Sequence, residues 1–110
     1  MRKQGTTLVA ANASSGNVLV GDIIEFPERP SRLRVYAAAT AVGLVGDVKA
    51  GSRTLMSESA ISQANRFPID PDDRVVQDGV LPQQRVQLTF RNTTGAGITV
   101  YWAVDLDPVM

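Results

Sequence analysis

Val86-Gln87-Leu88-Thr89-Phe90-Arg91, then Asn92-Thr93-Thr94-Gly95-Ala96-Gly97, then Ile98-Thr99-Val100-Tyr101-Trp102-Ala103-Val104-Asp105-Leu106 is the stretch that decides the fold class. Apolar and polar residues alternate strictly in its first part. In its last part Ile98, Val100, Trp102, Val104 and Leu106 share one face, and Thr99, Tyr101, Ala103 and Asp105 share the other. Such period-two alternation marks a strand with one dry side. Two alternating runs joined by a short glycine-containing loop predict a β-hairpin.

Upstream, Ser31 to Ala41 repeats the pattern, with Leu33, Val35, Ala37 and Ala39 on one face and Arg32, Arg34, Tyr36, Ala38 and Thr40 on the other. Pro27 and Pro30 separate this strand from the one before, because proline cannot donate to a ladder. Further strands are expected at 6–11, at 18–26 with an interruption at Gly21-Asp22, and at 43–49, 53–58 and 74–78. Asn12 to Asn17 reads as a turn cluster, as does Asp78-Gly79. Residues 57–64 fit a short helical turn as well as a strand. About eight short strands and no long helix predict an all-β fold, an antiparallel β-sandwich, with an eight-stranded jelly roll as the best fit. Residues 1–5 read as a flexible N-terminal arm and residues 6–110 as a single sandwich domain.

Composition agrees with this. The chain has 110 residues, 44% of them apolar but only 5% aromatic, so the core must be built from Val, Leu, Ile and Ala. Val and Ile are β-branched and suit strands. Lys plus Arg equals Asp plus Glu at 11 each, and a zero net charge argues against a nucleic-acid partner, which asks for a positive surplus. The balance is uneven along the chain: residues 1–55 hold seven basic and four acidic side chains, residues 56–110 four and seven. No apolar run approaches the length of a membrane span or a secretory signal.

Catalysis is poorly served. Without His or Cys there is no Ser-His-Asp triad, no thiol nucleophile and no ordinary zinc site. A Ser–Lys pair would have only Lys3 and Lys49 to draw on. Asp70, Asp72, Asp73 and Asp78 cluster near two prolines, but Asp70-Pro71-Asp72-Asp73 lacks the spaced ladder of a calcium loop. The expectation is therefore no catalytic residue, no cofactor and no metal. Arg29, Arg32 and Arg34 form a basic group. Its ordinary reading is a solvated face or a charged edge; its functional reading is an inter-subunit contact against Asp70, Asp72 and Asp73. Trp102 is expected in the core, the alternative being a sugar-stacking platform. Asn12-Ala13-Ser14 and Asn92-Thr93-Thr94 match the glycosylation triplet, with no leader to support its use.

Asn65-Arg66-Phe67-Pro68, an acidic stretch, Val80-Leu81-Pro82, Arg85 to Gly97 and the Trp-bearing last strand resemble small virion proteins of tailed bacteriophages. So do Ala10-Ala11-Asn12-Ala13, Asn17-Val18-Leu19, Ile24-Glu25-Phe26 and Arg34-Val35-Tyr36. Gln83-Gln84 departs from that texture, because a tight turn after Pro82 would more comfortably hold a glycine. The resemblance implies a capsid decoration, or cement, protein on the virion surface. Its partners would be the major capsid protein or neighbouring virion subunits. It would be a homo-oligomer, with a trimer favoured, and would bind neither nucleic acid nor membrane. The alternative is a carbohydrate-binding or receptor-binding jelly-roll module.

Overall fold

Alternation gives each long strand a dry side, and those sides have to meet. In the computed structural model, which describes residues 2–21, 25–64 and 74–108, they meet between two sheets. The strands are β1 (Arg2–Val9), β2 (Ser14–Asn17), β3 (Ser31–Ala39), β4 (Leu44–Ala50), β5 (Arg53–Ala60), β6 (Arg74–Val80), β7 (Val86–Asn92) and β8 (Ile98–Pro108). One sheet runs β1-β8-β3-β6 and the other β2-β7-β4-β5, all neighbours antiparallel. The two pack face to face as a β-sandwich. The pairing is nested: β1 takes β8, β2 takes β7, β3 takes β6 and β4 takes β5, while β8–β3 and β7–β4 join the pairs into sheets.

The core is aliphatic, as the composition requires. Leu33, Val35, Val100 and Val104 from one sheet face Leu44, Val48, Leu88 and Phe90 from the other, all fully buried. Leu19 and Ile61, outside the strands, join the same cluster. Each such side chain contributes roughly 1.5–3 kcal/mol by leaving water. Trp102 is 4% exposed, as expected of a core anchor. Its indole lies along the inner side of β1. There Nε1–H donates to Thr7 Oγ1 at 3.1 Å, and a Cβ on Gly5 would stand 2.7 Å from the ring.

Several expectations are corrected. Arg2 to Gly5, expected as a loose arm, form the first half of β1 and pair in unbroken register with Trp102 to Asp105. Ser14 to Asn17, expected as a turn, are β2, while residues 18–20 form a turn instead of a strand. Residues 22–24 of the expected second strand lie outside the described residues. β5 continues to Ala60, so a helical turn does not begin at Ser57, and Asp78-Gly79 lies within β6. The predicted hairpin is not one: β7 and β8 belong to opposite sheets, and residues 93–97 carry the chain across the sandwich.

Candidate functional site

Two polar nodes, one at each end of the sandwich, fix its loops. The first is built on Asn17, at the end of β2. Its Oδ1 accepts the backbone N–H of Leu19 at 3.1 Å and of Leu88 at 3.0 Å, and its Nδ2 donates to Glu25 Oε2 at 3.2 Å. Glu25 is buried, and its carboxylate also accepts Gly21 N–H at 3.2 Å and Arg85 Nε–H at 2.7 Å. The Arg85 hydrogen bond holds the Glu25 carboxyl below the usual carboxylate range. Burial opposes this, and the Gly21 N–H and the Arg85 charge assist it. Gln83 N–H donates to Pro27 O and Gly51 N–H to Arg85 O, both at 2.9 Å. Gln83 stands at φ 64°, so the turn that would suit a glycine is real and a glutamine occupies it.

This arrangement ties residues 18–21, 25–27 and 81–85 into one end of the molecule. On those same two loops stand three exposed large apolar side chains: Val20 at 66%, Phe26 at 46% and Leu81 at 60%. Held loops that present apolar groups to water are suited to meeting another protein.

The second node is Asn92, 1% exposed at the end of β7. Its Nδ2 donates to Val9 O and Ala96 O, and its Oδ1 accepts Thr94 N–H and Thr94 Oγ1–H. Thr93 N–H and Oγ1–H both donate to Gly43 O. Gly43 stands at φ 105°, with Thr94 Cγ2 occupying the space a Cβ would take. Both Nδ2 hydrogens of Asn92 are engaged, so the folded chain offers no free amide there. Leu8 and Val42 are the exposed apolar groups at this end.

The outer faces carry ion pairs, although Tyr36, Ala38 and Ala103 on one of them are buried. On the β1-β8-β3-β6 sheet, Arg2 meets Asp105 at 3.3 Å and lies 5.4 Å from the Tyr36 ring centre, and Arg34 meets Asp107 at 3.4 Å. On the other sheet a shallow groove of about 390 Å³ is lined by Asp47, Lys49, Thr54, Ser57, Glu58 and Thr89, among others. Glu58 is pinned there at φ 45°, its N–H donating to Asp47 Oδ1 at 2.7 Å and its carboxylate paired with Arg91.

Of the predicted interface residues, the structure describes the three arginines. Arg32 and Arg34 share the outer face as expected, Arg32 exposed and Arg34 half-buried. β3, however, lies between β8 and β6, so these arginines charge the middle of a sheet and not an edge. Arg29 is exposed on the preceding loop, its carbonyl accepting Ser31 Oγ–H at 2.8 Å. Asp70, Asp72 and Asp73 lie outside the described residues. Asp78 is on β6, 3.7 Å from Arg53 of β5. The sequence reading missed Asn17, Glu25, Arg85 and Asn92. Only Asn92 left a signal: Val86, Leu88 and Phe90 set the inward phase, and Asn92 is a polar residue in that phase.

Compared with protein families, curated proteins and solved structures, the chain gives no match.

Proposed function

We propose that this chain is a non-enzymatic structural protein of a virus particle, a capsid decoration protein that clips a phage shell through protein–protein contacts. We further propose that its sandwich is a jelly roll. The nested order β1-β8-β3-β6 over β2-β7-β4-β5 supports this, because it is one long hairpin folded over twice with its turn between β4 and β5. The observation that carries the function is the apolar end. Val20, Phe26 and Leu81 stay exposed close to the residues that the Asn17–Glu25–Arg85 node bonds together. Binding there requires little ordering of the loops. The partner would be the major capsid protein or a neighbouring virion subunit, and the location the virion surface.

Co-sedimentation with purified shells of the particle whose genes flank this one tests the reading. The wild-type chain should pellet with shells. Phe26→Asp combined with Leu81→Asp should fold normally, since both sites face water, and stay in the supernatant. Equal pelleting of both proteins would remove this end as the contact. Failure of the wild type to pellet would remove the decoration role.

A carbohydrate-binding or receptor-binding module is the second reading. The polar groove over β4, β5 and β7 supports it, with hydroxyls and charges spaced along one face. The stacking platform it asked for is missing at Trp102, which is buried. A titration of oligosaccharides followed by Lys49 and Glu58 substitution would decide it.

A further inference from the structure

A sandwich of two open sheets has four edges, and natural sheets protect each one against pairing with another chain. Three of the four are protected here. β2 is only four residues long and its register with β7 shifts. β5 is broken by register shifts against β4 and by Glu58 at positive φ. β6 is clamped from the side by Arg53, which bonds Gly79 O and pairs with Asp78.

β1 is neither short, nor broken in register, nor clamped, and its charges, Arg2 and Lys3, are confined to one end. It is eight residues long, it keeps unbroken register with β8, and among the described residues no strand pairs with its outer edge. Gln4 to Val9 contains neither charge nor proline. The Arg2 side chain, which would guard the edge, instead lies across the sheet face on Asp105 and the Tyr36 ring. Trp102 holds Gly5 and Thr7 from the inner side, so the strand is already set in an extended form.

We infer that β1 is the self-association edge of this protein: two copies pair β1 with β1 antiparallel about a two-fold axis near Gly5 and Thr6, making one continuous eight-stranded sheet. The edge is complementary to itself. An antiparallel two-fold places Arg2 and Lys3 of each copy beside the Thr7–Val9 end of the other, so like charges stay apart and the arginine stem can cover exposed Leu8. The zero net charge of the chain sets no long-range repulsion against a second copy. Because a two-fold normal to the sheet keeps inner with inner and outer with outer, an axis at Gly5 sets Gln4 opposite Thr6, and an axis at Thr6 sets Thr6 opposite itself. This inference stands apart from the shell reading.

Light scattering behind a sizing column should give the mass of a dimer for the wild type. Gln4→Lys with Thr6→Lys places like charges across the axis at exposed positions. It should weaken association by about tenfold or more while the circular dichroism and Trp102 fluorescence stay unchanged. The chain has no cysteine, so Thr6→Cys supplies a single thiol, and a short bis-maleimide should link two copies of it. A monomer at the highest attainable concentration would overturn the inference. So would a trimer, or a dimer indifferent to the two lysines. None of these outcomes would touch the shell reading, which the pelleting assay judges separately.

Discussion

Gly5 and Trp102 act as one unit at the residue scale. The indole occupies the space that a side chain at position 5 would fill, and it closes the β1 end of the core. Trp102→Ala should lower stability by about 3–5 kcal/mol in denaturant unfolding, through lost burial and an unfilled cavity. Gly5→Ala should lower it by about 1–3 kcal/mol, since the ring must move to admit a methyl group. It should also shift the tryptophan emission, which a change on the solvent side of β1 would not. Position 83 should behave in the opposite sense. Gln83 holds a left-handed backbone, its N–H bonded to Pro27 O. Gln83→Gly keeps that bond and removes the Cβ strain, so it should be neutral or stabilising by up to about 1 kcal/mol. A clear loss of stability would show that the Gln83 side chain holds the turn.

The Asn17–Glu25–Arg85 node is a property of elements, because it joins the end of β2 to the start of β7 through a loop. The folded Glu25 carboxyl titrates below its ordinary range and the unfolded one within it, so the unfolded chain binds the proton more readily. The node therefore contributes its full stability above the ordinary carboxylate value and loses it as pH falls through the depressed folded value. Thermal scans should show the wild type losing more stability than Glu25→Gln on acidification through that window, with the gap between them narrowing. A constant gap would mean that the charge on Glu25 contributes nothing to the node. Asn92→Ala, at the other end, strands the carbonyl of Val9 in the interior and should cost about 1–3 kcal/mol. These elements were legible to different degrees. β3, β7 and β8 announce themselves because each has a dry side of alternating apolar residues. β2 could not be read, since Ser14 to Asn17 buries no apolar side chain and is held on β7 by hydrogen bonds to its backbone and to the Ser15 and Asn17 side chains. The first half of β1 is polar for the same reason, being an edge. The β7–β8 link looked like a hairpin because alternation fixes a strand and its dry side but not the sheet it joins. A buried Asn92 that bonds Val9 across the loop is what turns the chain. The candidate site was least legible, because Asn17 and Leu88, like Glu25 and Arg85, are neighbours only after folding.

For the whole molecule, nesting makes a prediction about assembly. Arg2 pairs opposite Asp105 while Ala50 pairs opposite Arg53, so the most distant and the most local contacts in sequence are the two ends of one series. Joining the chain ends through a short Gly/Ser linker and opening the chain between Gly51 and Ser52 inverts that series. β1–β8 becomes the local hairpin and β4–β5 the distant closure. Gly51 and Ser52 are exposed, and the opening threatens one tertiary backbone bond, Gly51 N–H to Arg85 O. The permuted chain should therefore reach the same sandwich in one cooperative transition, less stable by on the order of 1–3 kcal/mol. Both chains should fold slowly, in milliseconds to seconds, because strand pairs remote in sequence dominate either way. Their rates should agree within about tenfold, since inversion exchanges local for distant pairs without changing the balance. Stopped-flow refolding followed by Trp102 fluorescence measures this directly, as the indole moves from water into the core. A permuted chain that unfolds without cooperativity, or refolds far more slowly than the original, would identify the β4–β5 turn as the place where folding begins. The nested pairs would then close in one order only, from β4–β5 outward to β1–β8.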